Sequence, residues 1–164
     1  MTPPAITIRP YTEADWSNVC AVHDRARPHE LAGSADARAF RPMAEEAEEE
    51  EFFESRTYVA RIEDRIVGFV SFRDAYITWL YIDPDFHRRG IGRRLLSEAL
   101  KHCGEQAWVN TMAGNEAALS LYRSAGFDVV KSFPSDCDGY PCVCVRLALP
   151  TSRMHDPNVR REVS

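Results

Sequence analysis

"DPDFHRRGIGRRLLSEAL", residues 83–100, sets four arginines and two glycines around the start of a leucine-striped helix. A helix N-terminus exposes unpaired amide N–H groups and carries about half a positive charge, so cations there are unfavourable in isolation. Arg88, Arg89, Arg93 and Arg94 stand against that dipole. A bound anion changes the balance: Gly90 and Gly92 let the backbone approach it, the amides point at it and the arginines neutralise it. The stretch therefore predicts a strand ending before Pro84, an anion-binding turn, and a helix over 91–103 with Leu95, Leu96, Ala99 and Leu100 on its buried face.

The positive charge is local. A net charge of −5 over 164 residues argues against a general nucleic-acid or anionic-membrane binder. No apolar run approaches the roughly 20 residues of a membrane span, and MTPPAITIRP lacks the regions of a secretion signal. Five cysteines, an odd number, fit reduced thiols in a soluble cytoplasmic protein. Cys137, Cys142 and Cys144 cluster, but C-x4-C-x-C does not match the usual zinc pairs, so they read as small apolar side chains and no metal is expected.

Working outward, AITIRPY (5–11) reads as a strand, and Thr12 with Asp15 signals a helix running to about Arg27. RPHELAGSADA reads as a loop marked by Pro28 and Gly33. A second helix is expected from near Asp36 or Pro42 to Phe53, with seven glutamates between Glu45 and Glu54. That run reads as a solvated face that could also attract a cation. TYVARIE (57–63) and RIVGFVSFR (65–73) form a hairpin, and AYITWLYID (75–83) and QAWVNTM (106–112) form further strands. NEAALSLYRSAG (115–126) is a short helix closed by Gly126, and FDVVKSF and YPCVCVRLAL are the last strands. Residues 1–150 thus form one α/β domain, and polar residues 151–164 a frayed tail.

Strands 75–83 and 106–112 flank helix 91–103, a right-handed parallel β-α-β unit by the usual crossover rule. Ligands in open α/β sheets lie at the carboxyl ends of such strands, here beside Arg88 to Arg94, and a pyrophosphate suits the turn. A dinucleotide-binding fingerprint fails because Leu95 occupies the third glycine's place, and a P-loop fails for want of Gly-Lys-Ser/Thr.

"LYIDPDFHRRGIGRRLL" followed by "NEAALSLYRSAGF" resembles the GNAT superfamily of acetyl-CoA-dependent N-acetyltransferases, over about Ile6 to Leu149. The resemblance implies an α+β fold with a mixed central sheet of six to seven strands, flanked by about four helices, whose two parallel strands splay apart around coenzyme A. It implies that main-chain amides of Arg88, Arg89, Gly90, Ile91, Gly92 and Arg93 hold the pyrophosphate. Leu80, Tyr81 and Ile82 would pair their backbone with the pantetheine arm, one amide polarising the thioester carbonyl. Asn115 would cap the short helix and touch the coenzyme, and Tyr122 would protonate the departing thiolate. Asn115 is a good cap without any ligand, and Tyr122 also reads as a core-edge aromatic. His87 stands where the family has glutamine or arginine.

Relatives within the family place a glutamate base at positions that here are Asn110 and Tyr76, so neither supplies a carboxylate. A lysine amine with pKa about 10.4 is only about a thousandth neutral near pH 7.5, whereas an α-amine near 8 is about a third neutral. The missing base therefore favours an α-amine or another low-pKa amine, with a water chain, His29 or Glu30 taking the proton. Trp79 shares a strand face with Tyr81 and lines a substrate pocket or is buried. Two other readings stand: a non-catalytic acyl-CoA-binding sensor, which has no need of Tyr122, and an aminoglycoside or polyamine acetyltransferase, which suits the acidic stretch 45–54. A covalent route through cysteine lacks an evident partner histidine. Strand 140–149 offers a homodimer interface.

Overall fold

A computed structural model describes residues 2–150; the tail assigned to 151–164 lies outside the described residues. The chain alternates β1 (Ile6–Pro10), α1 (Trp16–Leu31), α2 (Met43–Glu49), β2 (Arg56–Ile62), β3 (Arg65–Arg73), β4 (Tyr76–Ile82), α3 (Ile91–Cys103), β5 (Trp108–Met112), α4 (Glu116–Ser124), β6 (Asp128–Cys137) and β7 (Tyr140–Ala148). Seven strands form one sheet in the order β1-β2-β3-β4-β5-β7-β6. Among the described residues only β4 and β5 run parallel. This is the mixed sheet with four helices and a central parallel pair that the sequence implied.

β3 is buried from Ile66 to Phe72, so both of its faces need covering. On one side α3 brings Ile91, Leu95, Leu96 and Ala99 against Val70 and Phe72, and α4 adds Leu119 and Tyr122. The i, i+4, i+5, i+8 spacing puts those α3 residues on one stripe, and each buried leucine contributes about 1.5–3 kcal/mol. On the other side Val19 and Val22 of α1 and Met43 of α2 pack with Phe52, Phe69 and Trp79.

Two helix boundaries depart from the sequence reading. Instead of stopping at Arg27, α1 runs through Pro28 to Leu31, so His29 and Glu30 are helical. Leu31 is 1% exposed, and Arg27 pairs with Glu30 across the last turn; this tertiary burial outweighs the hydrogen bond that proline removes. The glutamate-rich helix is shorter than expected, ending at Glu49. Glu51 turns to φ 58°, which swings Phe52 into the core.

The most consequential irregularity is in β4. Opposite β3, Trp79 pairs with Ser71 and Ile77 with Phe72, leaving Thr78 as an extra, bulged residue. On its other edge β4 pairs with β5 only at Tyr76–Trp108 and Ile77–Val109. Pairing stops where the bulge re-aims the strand, and a wedge opens beyond it.

At the start of α1, the 5%-exposed Asp15 receives Arg9 through both guanidinium nitrogens (2.7 and 2.8 Å) and the Thr12 amide (2.9 Å). These donors hold its carboxyl down to about 2. Because this lies below the unfolded value near 3.8, the stabilisation is complete above about pH 4 and is lost as pH falls through the folded value. Asp15→Asn should therefore cost about 1–2 kcal/mol at pH 7, with solvent around Arg9 keeping it modest, and the gap should close toward about pH 2. Urea unfolding across pH checks this; a pH-independent gap would remove the ion pair from the account.

Candidate active site

The turn after β4 is held from below by Asp83, which is 2% exposed. Its carboxylate accepts from Arg25 of α1 (2.9 Å), Arg65 of β3 (3.1 Å) and the Asp85 amide (3.0 Å). The chain then passes through two left-handed residues, Arg88 (φ 64°) and Gly90 (φ 76°), before α3 begins at the buried Ile91. Glycine takes that conformation without the strain a Cβ would add. Gly92 answers a different need: a Cβ there would stand 3.2 Å from Leu121 of α4. The close approach of α3 and α4 leaves a groove of about 420 Å³ walled by Phe86, Arg88, Gly90, Gly92, Arg93 and Ser124.

The four arginines divide their work. Arg88 and Arg93 line this groove and form no ion pair among the described residues. Arg89 stacks over Phe86 at 5.0 Å, and Arg94 donates to the Ile6 carbonyl. Neutralising an anion in the groove thus falls to Arg88 and Arg93, together with the free amides of the first turn of α3.

Deeper in, the wedge between β4 and β5 is a narrow space of about 70 Å³. Thr78 to Tyr81 form one wall and Val109 to Thr111 the other; Asn115, Tyr122 and Glu30 close it. Asn115 caps α4, accepting the Ala118 amide at 3.2 Å. Tyr122 is 4% exposed and meets Phe127 edge-on, so it is a core aromatic, and it also lines the wedge. Burial pushes its hydroxyl well above the usual phenol range, so it keeps its proton. Burial likewise raises Tyr81, and the neighbouring Glu30 adds to the effect. Leu80 and Ile82 pack partly against the α3 side of the core.

The wedge opens into a cavity of about 390 Å³ that shares Glu30, Thr78, Trp79, Tyr81, Asn110 and Thr111 with it. Part of the glutamate run faces this space: the half-buried Glu46 and the exposed Glu49 and Glu50 line the cavity, whereas Glu45 and Glu48 do not. His29 is exposed and lines neither space, so of the two proton acceptors considered only Glu30 reaches the site. Asn110 accepts from Arg146 at 3.1 Å, and Tyr76 stacks on Trp108 at 4.0 Å. Sequence reasoning missed Arg27, Arg41 and Asp136 in the cavity wall. Only the last had a visible signal: Asp138-Gly139, a two-residue hairpin turn with both φ positive, brings the strand carrying Asp136 back over the site.

Cys137 and Cys144 line the same cavity, and Cys137 lies with its sulfur 3.1 Å from that of Cys142. All five cysteines are free. Burial pushes the Cys137 thiol up to about 11, which leaves it protonated and a poor nucleophile at neutral pH.

The mixed seven-stranded sheet and the break between its parallel strands β4 and β5 are those the family resemblance implies, and residues 20–127 match the Acetyltransferase (GNAT) family. The chain belongs to that family and is an acetyl-CoA-dependent N-acetyltransferase. It is 29% identical over 137 residues to "Uncharacterized N-acetyltransferase YafP" of Escherichia coli K12, covering 82% of this chain and 89% of that protein. It is 31% identical over 101 residues to a [Ribosomal protein bS18]-alanine N-acetyltransferase of Salmonella typhimurium, covering 55% of this chain and 68% of the relative. The crystal structure of a GCN5-related N-acetyltransferase from Rhodopseudomonas palustris shares the fold, with TM-score 0.73 and 20% identity over 90% of this chain and 95% of that one.

The protonated thiol makes a direct expectation. At about pH 7.5 iodoacetamide should label Cys137 on the order of a hundredfold more slowly than a free cysteine, the rate climbing as the solution becomes alkaline. Peptide mass spectrometry reads this, and rapid labelling at neutral pH would restore cysteine as a candidate nucleophile.

Proposed function

We propose that the acetyl group passes directly from acetyl-CoA to a primary amine in the wedge between β4 and β5, the coenzyme entering from the Arg88–Arg93 groove and the amine from the acidic cavity. The observation that carries this reading is continuity: the wedge shares its walls with the cavity, and β4 leads from it through Ile82 to the groove. The main-chain amides from Arg88 to Arg93, including those of Arg89, Gly90, Ile91 and Gly92, hold the pyrophosphate. The unpaired edge of β4 at Leu80, Tyr81 and Ile82 receives the pantetheine arm as a missing strand would be received, and Asn115 touches it from the start of α4.

An amide of the same edge stabilises the negative charge that develops on the thioester oxygen. Tyr122, protonated and facing the wedge, gives its proton to the departing sulfur. A thiol with pKa near 8.5 is a tolerable leaving group, so this helps without being indispensable. Glu30, where wedge and cavity meet, takes the proton of the amine directly or through water. The acceptor is a protein or peptide α-amine or a small-molecule amine; the relative named for a ribosomal alanine supports the first, and the acidic cavity supports a cationic acceptor of either kind. Residues 1–150 act as one catalytic domain in the cytoplasm, where five free thiols stay reduced. The half-exposed Val143 of β7 and Val129 of β6 favour a homodimer through the last strands, and the negative net charge favours neither nucleic acid nor membrane as a partner.

Two measurements test the assignments. Arg93→Glu should weaken acetyl-CoA binding about tenfold or more in calorimetric titration while leaving the melting temperature nearly unchanged, because Arg93 is exposed. Unchanged affinity would place the pyrophosphate elsewhere. Tyr122→Phe should lower turnover about tenfold to a thousandfold with acetyl-CoA affinity kept; an equal loss of affinity would make Tyr122 a binding residue.

A further inference from the structure

The acidic cavity carries more charge than one reacting amine requires. Six carboxylates and two guanidinium groups line it, and both guanidiniums are engaged. Arg27 holds Glu30 at 2.5 Å, and Arg41 holds Glu49 at 2.8 Å and reaches Asp138 at 3.5 Å. Among the described residues Glu50 and Asp136 have no cationic partner, and Glu46 has only His23 Nε2 at 3.5 Å. Burial and the charges of Glu46 and Glu49 push the Glu50 carboxyl pKa up, against the opposing pull of Arg27 and Arg41.

A second, separate feature of the wall points to a ligand. Trp79 is 6% exposed and lines the same cavity, and its indole N–H finds no acceptor. Its ring neighbours are His23, Phe52 and Tyr81. A buried donor without a partner costs free energy that an incoming oxygen recovers. An ammonium or guanidinium group cannot do so, since it only donates. The cavity therefore asks for a cation and an acceptor oxygen in one molecule, and its volume falls within the range of small-ligand sites.

Building on the acetyltransferase reading of this site, we propose that the acceptor is an oligocation bearing a hydrogen-bond-accepting oxygen: its reacting amine enters the wedge beside Asn110 and Thr111, a second positive group sits among Glu46, Glu49 and Glu50, and the oxygen receives the Trp79 indole N–H. Peptides with an N-terminal amine and a basic second residue meet both demands, as do amino sugars. A simple polyamine lacks the oxygen, and an acidic peptide lacks the second cation.

The test measures thiol release by the full chain at saturating acetyl-CoA with four acceptors: Gly-Lys amide, Gly-Glu amide, spermidine and kanamycin. Gly-Lys amide or kanamycin should exceed both spermidine and Gly-Glu amide at least tenfold in kcat/KM, and whichever leads names the source of the chemistry. Glu50→Gln should raise KM for the preferred acceptor several-fold with kcat kept. Trp79→Phe should raise it for the oxygen-bearing acceptors and leave spermidine untouched. Should Trp79→Phe fail to fold, the exposed Glu50→Gln variant and the acceptor ranking still decide. Equal use of Gly-Glu amide overturns the charge requirement, and spermidine matching the others overturns the oxygen requirement. Release from none of the four, with acetyl-CoA still bound, overturns this proposal alone, whereas failure to bind acetyl-CoA overturns the reading beneath it.

Discussion

Where β4 stops pairing with β5 decides the rest of the site. Two residue pairs are made, and then the extra residue at Thr78 turns β4 away. β5 cannot follow, because all five of its residues from Trp108 to Met112 are paired with β7. The sheet is thus two ladders joined at a short seam, one anchored on β3 and the other on β7. Thr78 is also held from outside by the Ser55 hydroxyl at 3.1 Å. Unpaired backbone in a half-buried place costs about 1–3 kcal/mol per group, which a bound extended chain or water must recover. The same opening gives Tyr122 a view into the space between the strands.

α1 ties the ends of the cleft together. Arg25 on this helix reaches Asp83 and Asp85 beneath the turn that precedes α3, and five residues later, about 7.5 Å along the axis, Glu30 stands at the mouth of the wedge. Just before Arg25, Asp24 accepts the Met43 amide at 2.8 Å and so starts α2, which carries Glu46 and Glu49 to the cavity. Had α1 ended at Arg27, Glu30 would lie on a loop and the Arg27–Glu30 pair would lose its helical spacing. The burial of Leu31 therefore also fixes where Glu30 stands in the wedge.

The turn from Asp83 to α3 was legible because its signals are local: glycines, arginines and a 3.6-residue apolar stripe within a single stretch. β3 was legible for the same reason, and its observed limits are the expected ones. The end of α1 was not, since Pro28 argues for a break and only the packing of Leu31 argues against it. The wedge itself came from the family resemblance, because a one-residue bulge leaves no mark in the composition of YITWLYI. The acidic cavity was the least legible part. Its walls come from α1, α2, β4, β5 and the β6–β7 hairpin, and no pattern along the chain announces that Arg27, Trp79 and Asp136 will meet.

The two ends of the cleft carry opposite charge, and that division bears on the chemistry as well as on binding. On the proposed reading, Arg88 and Arg93 attract an anionic donor and the carboxylates around Glu50 a cationic acceptor, so each substrate is steered toward its own entrance. An acidic cavity also stabilises the ammonium form of an amine, which opposes attack on the thioester. The site eases this conflict by its layout. The throat is lined by Asn110, Thr111 and Thr78, which are neutral, and its one carboxylate, Glu30, is already balanced by Arg27. A second positive group resting among Glu46, Glu49 and Glu50 would neutralise the field of the outer carboxylates just where it does most harm. The acceptor's own charge would then leave its reacting amine free to lose a proton.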